Sequence, residues 1–88
     1  MKTVTLKEHQ VSTAAELHEF LACELAFPAY YGKNLSALND CLTEISEPTR
    51  IMVWRDDSVA GDWFDKACAV MVRAALENEH LHVTFESE

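Results

Sequence analysis

Read for its apolar and polar positions, the chain resolves into six short elements. The opening "KTVTLK" (2–7) alternates, with Val4 and Leu6 on one parity and Thr3, Thr5 and Lys7 on the other, as a strand covered on one side does. At 13–16, "TAAE" has capping-box spacing, and Leu17, Phe20, Leu21 and Leu25 continue as an apolar stripe of helical period. Pro28 and Gly32 interrupt that period around Tyr30 and Tyr31. Asn34 then stands where it can cap a second helix, whose buried stripe is Leu35, Leu38, Leu42 and Ile45. After Pro48, "RIMVWR" (50–55) is apolar on both parities, which predicts a central strand covered on both faces. "DDSVAG" (56–61) reads as a turn or a single helical turn, and Asp62 can cap a third helix through Phe64, Ala67, Cys68, Met71 and Ala75 to about Glu77. "HLHVTFE" (80–86) alternates again, with Leu81, Val83 and Phe85 facing inward.

The order is strand, helix, helix, strand, helix, strand. Strands separated by helices favour parallel pairing through right-handed crossovers, so the pattern predicts an α/β fold: a small three-stranded parallel sheet with helices packed on it. At 88 residues and 9.9 kDa the chain has room for one hydrophobic core, and no repeat, low-complexity tract or linker divides it. The expectation is a single domain over residues 1–88.

Composition changes this picture little, and charge changes it more. With 49% hydrophobic and 25% charged residues the chain is in the ordinary globular range. No apolar run approaches the length of a membrane span, and "MKTVTLKEHQ" has no apolar leader segment, so a cytoplasmic location is expected. The three cysteines, Cys23, Cys41 and Cys68, are odd in number and lie in helical patterns, which reads as reduced, buried small hydrophobes. Lys and Arg number 7 against 15 for Asp and Glu, a formal net charge of -8. Such a surface repels phosphate backbones and anionic membranes and suits a basic partner, although charge of this size also serves solubility.

No P-loop, dinucleotide fingerprint, nucleophile elbow or zinc spacing is present, so neither an enzyme nor a cofactor is indicated. His80 and His82 are two apart on a strand, but no third metal ligand follows. Asp40 and Glu44, four apart on a helix, fit either an acid/base pair or a solvated face. Their neighbours favour a third use. Ser36, Asn39, Asp40, Thr43 and Glu44 all fall away from the leucine stripe, and the loop of Tyr30, Tyr31 and Gly32 abuts the first turn. Tyrosines supply rigid contact area with a polar tip, and a carboxylate pairs with Arg through two parallel hydrogen bonds, a combination suited to binding protein.

The segment "LAFPAYYGKNLSALNDCLTEI" (25–45) resembles the signature of the barstar family, intracellular inhibitors of bacterial ribonucleases, through the pattern L-x-x-P-x-Y-Y-G-x-N-L-x-A-L-x-D-C-L-T. A looser similarity extends over the whole chain. The resemblance implies strand order 1-2-3 and a surface that plugs the active site of a basic, secreted, barnase-like ribonuclease or a related toxin. It implies that Asp40 enters the enzyme's phosphate site, that Tyr30 stacks on its catalytic histidine, and that Gly32, Asn34 and Thr43 add hydrogen bonds. The chain departs from the family pattern at Ser36, where an acid is usual, at Asn39 for tryptophan, at Glu44 for glycine, at Ile45 for an aromatic and at Ala74 for a glutamate. Two expectations follow: a ribonuclease inhibitor that is monomeric when free, or a binding module of the same fold for another basic toxin or partner, without ribonuclease inhibition.

Overall fold

The structure, a computed structural model, describes residues 2–55 and 62–87. Its elements are β1 (Lys2–Lys7), α1 (Ala14–Glu24), α2 (Leu35–Thr43), β2 (Thr49–Arg55), α3 (Asp62–Glu77) and β3 (Leu81–Ser87), with a 3₁₀ turn at Glu8–Gln10. The three strands pair in parallel in the order β1-β2-β3. This is the α/β arrangement expected from the sequence. The turn read at 56–61 lies outside the described residues, and α3 is described from Asp62 onward.

Register places Val4, Ile51 and Val83 in one row across the sheet and Leu6, Val53 and Phe85 in the next. On that face Val4, Leu6, Ile51 and Val53 are buried in one cluster with Leu17 and Leu21 of α1, Leu38 and Leu42 of α2, and Phe64 and Met71 of α3. The other face differs from expectation. Met52 and Trp54 are half-buried, lie outside the core cluster, and border a shallow depression with Thr5 and Lys7. Among the described residues, β2 is therefore covered on one face only. In a 1-2-3 sheet both right-handed crossovers move the same way, which puts every helix on one side. Phe85, expected inside, is 41% exposed because β3 is an edge strand.

The helix ends follow local chemistry. Thr13 Oγ1 accepts the Glu16 N–H at 3.2 Å, while the Glu16 carboxylate takes the N–H of Ser12 rather than that of the cap itself. α1 closes where Ala26 adopts a left-handed φ of 56° and Phe27 N–H donates to Ala22 O at 2.9 Å, a Schellman closure made without glycine. At α2, Asn34 Oδ1 accepts the Ala37 N–H at 2.8 Å. The far end of α2 is held by Asn78, whose buried amide donates to Leu42 O and Ile45 O at 2.9 Å each. A carbonyl of the last turn of α2 and one just beyond it are thus bonded from the α3–β3 turn, and α2 is clamped at both ends.

A second polar anchor joins the 3₁₀ turn, β2 and α3. Glu8 is buried and accepts from Arg55 Nε at 3.1 Å, and the same guanidinium reaches Asp65 and lies 5.3 Å above the Phe64 ring. Burial works against the Arg55 charge, but the hydrogen bonds to Glu8 and then Asp65 outweigh it and raise its pKa. All three cysteines are free. Cys68 is buried as expected and Cys41 is half-buried, but Cys23 is exposed, a correction to the reading of all three as core residues. Among the described residues, no helix is long and apolar enough to cross a membrane.

Candidate protein-binding site

The two adjacent tyrosines have opposite fates. Tyr31 N–H donates to Pro28 O at 2.9 Å, closing a tight turn that sends one ring inward and the other out. Tyr30 is 88% exposed, whereas Tyr31 is 8% exposed, packs 4.9 Å from the Phe27 ring and shares a hydrogen bond with Nδ1 of buried His18. Burial, and then the nearby Cys41, push the Tyr31 hydroxyl up to about 12. His18 is held below its ordinary value by burial and then by Lys33. The sequence groups both tyrosines as surface contacts. The structure corrects this: Tyr31 anchors the loop from beneath and Tyr30 presents it.

Gly32 sits close under the Asn34 side chain. A Cβ there would stand 3.1 Å from Asn34 Nδ2, which itself donates to Gly32 O at 3.3 Å. Lys33, between them, takes a left-handed φ of 54° and reaches Glu19 at 3.4 Å. The loop is thereby tied to the first turn of α2 on one side and to α1 on the other.

Along α2, Ser36, Asp40 and Glu44 are exposed at successive helical turns. Asn39 and Thr43 lie on the half-buried flank, which places them nearer the core than the polar-face reading does. Thr43 Oγ1 donates back to Asn39 O at 2.9 Å, so its proton is used within the helix. Asn39 Oδ1 is shielded from solvent without a hydrogen-bond partner. Tyr30, Tyr31, Gly32, Ala37, Asp40 and Glu44 line a depression of about 280 Å³. Asn34, Ser36, Asn39 and Thr43 do not line it.

The charge of this depression is one-sided. Among the described residues, neither Asp40 nor Glu44 has a cation within ion-pair distance. The neighbouring Cys41 thiol is pushed up by burial and then by Glu44 and Asp40, which reports the negative potential they create together. Two exposed carboxylates beside an exposed phenol can receive a planar cation from another molecule. No group of three or more metal-ligating side chains exists among the described residues. Ala74, which the family resemblance matches to an acidic contact position, is fully buried, so no side chain there reaches the surface. Two contributors escape sequence reading: His18 under the loop and Asn78 at the end of α2. Neither carries a local signal, because each acts on a residue distant in the chain.

Residues 1–87 match the family model described as barstar, barnase inhibitor. The chain is also 42% identical over 43 residues to the protein of Bacillus subtilis (strain 168) named "Putative ribonuclease inhibitor YrdF", a likeness covering 49% of this chain and 47% of that protein. The chain thus matches about half the length of that relative.

Proposed function

The chain belongs to the barstar family, a family of inhibitor proteins rather than enzymes, and we propose that it inhibits a basic, secreted, barnase-like ribonuclease in the cytoplasm as an immunity protein. In this reading the Tyr30 loop and the outer face of α2 cover the nuclease active site. Asp40 stands where a substrate phosphate would, Tyr30 supplies aromatic contact, and Glu44 adds a second carboxylate. The whole chain acts as one unit, a monomer at low concentration, and binds neither nucleic acid nor membrane.

The observation that carries this reading is the pair of exposed carboxylates, without a paired cation among the described residues, on a helix fixed at both ends beside an 88% exposed tyrosine. A rigid presentation lowers the ordering cost of binding, and a negative face seeks a positive cleft. The second reading, a module for another basic toxin without ribonuclease inhibition, draws on the buried Ala74 and half-buried Asn39, which leave a narrower contact surface than the family pattern suggests. Titrating the turnover of a basic microbial ribonuclease with the protein tests the first. Stoichiometric loss of turnover is expected, with association slowed by added salt, because a net charge of -8 steers encounter with a basic enzyme. Tight binding with turnover unchanged would select the second reading.

A further inference from the structure

The sheet has two edges, and their sequences treat a second copy of the chain differently. β1 and β3 flank β2, so among the described residues each leaves one row of backbone groups without a strand partner. If β1 paired antiparallel with its own copy over its full length, Lys2 of each chain would face Lys7 of the other, and like charges directly opposite are unfavourable. β3 carries no such guard. Leu81–Ser87 is unbroken by proline, and full overlap of two antiparallel copies centres the pairing on Thr84. That register sets His82 opposite Glu86 of the mate twice and Val83 opposite Phe85 twice. Arg50 shares a sheet row with His82, one strand in from the seam, so its cation lies on the row that the mate's Glu86 would join.

The surroundings suit the same contact. Phe85 is 41% exposed, and on the helical face Val72 and Leu76, 40% and 84% exposed, overhang a groove of about 500 Å³ beside Val83 and Thr84. We propose that two copies join β3 to β3 about a twofold axis through Thr84, forming a reversible dimer with one continuous six-stranded sheet. The seam is isologous, so it closes at two copies. A single strand pair with flanking side chains is at the low end of interface size, and each chain carries a net charge of -8, so the dimer forms at high protein concentration and salt strengthens it. The seam shares no residue with the depression at Tyr30 and Asp40, so each copy keeps that face open. The inference is independent of the inhibitor reading.

Sedimentation of the full chain from low-micromolar to near-millimolar concentration, at low and high salt, tests it. The wild type is expected to move from monomer to dimer, at lower concentration when salt is high. His82→Glu sets carboxylates against Glu86 and should raise the midpoint about tenfold, and the double variant His82→Glu, Glu86→Lys should restore it. Thr3→Glu on β1 should leave it unmoved. His82 and Glu86 are exposed, and an unchanged melting curve for each variant confirms that folding is intact. A wild type that stays monomeric at high salt, grows beyond two copies, or responds alike to the single and double β3 variants would overturn the proposal.

Discussion

Two regions of this small protein hold carboxylates, and they use them in opposite ways. Where the 3₁₀ turn, β2 and α3 meet, Glu8 and Asp65 share the Arg55 guanidinium, so their negative charge is partly compensated within the fold. On the outer face of α2, Asp40 and Glu44 stand among the described residues without a paired cation. An internal pair ties elements together, while an uncompensated pair on a rigid helix is available to a cation that arrives from outside. Charge count alone does not distinguish them, but compensation does.

The largest effect should come from reversing the outer charge. Asp40→Lys is expected to weaken binding to a basic ribonuclease by on the order of 10³-fold, about 4 kcal/mol, within the range of interface charge couplings for which the barnase–barstar complex is itself the reference case. Stability should move by no more than ~0.5 kcal/mol, since Asp40 is exposed and touches no core residue's polar group. Calorimetric binding and thermal melting on one preparation check both halves.

Arg55→Ala should show the inverse. Removing a guanidinium that donates to both Glu8 and Asp65 is expected to cost about 2–3 kcal/mol of folding stability, read from urea unfolding, and to leave nuclease affinity unchanged. Loss of affinity at full occupancy of the folded state would merge the two regions and break the comparison.

The comparison is only partly written in the sequence. Element order, strand parity and the caps at Thr13 and Asn34 are legible, because helical and strand periods and i to i+3 capping are local. Asp40 is legible as a helix-face anion for the same reason. Which tyrosine is buried is not legible: nothing in "PAYYG" separates Tyr30 from Tyr31 until the Pro28–Tyr31 turn bond and His18 are in place. The burial of Glu8 depends on Arg55, 47 residues later, and the fixed end of α2 on Asn78, 36 residues beyond its Leu42 partner. Met52 and Trp54 mislead because apolar residues on both parities suggest two covered faces, whereas crossover handedness decides which face the helices reach.

A smaller effect concerns the support beneath the loop. Because His18 has a folded pKa below 6.5, the unfolded chain takes up a proton that the folded chain resists as pH falls through 6.5. More protons bound in the unfolded state means stability that rises with pH, so this contribution is complete above 6.5 and lost progressively below it. Tyr31 acts at the other limit. Its hydroxyl ionises near 10 when unfolded and about 12 when folded, so its contribution is complete below 10 and fades between those values. Melting temperature against pH should therefore fall at both ends, and Tyr31→Phe should lessen the alkaline fall between 10 and 12, the remainder coming from the Cys41 and Cys68 thiols, which burial also raises, Cys68 to about 11.

The smallest change is a gain. Ala26 holds a left-handed φ of 56° at the end of α1, a position that glycine fills without steric cost, so Ala26→Gly should stabilise the chain by about 0.5–1 kcal/mol in urea unfolding and leave binding untouched.

The central claim, that the outer face of α2 is recognised for its charge and not for its shape, is tested most directly by the affinity of Asp40→Asn for a basic ribonuclease. This change keeps the size of the side chain and removes the charge. A loss of about 2–5 kcal/mol in binding with an unchanged melting temperature is the expected result. Binding equal to wild type would contradict it.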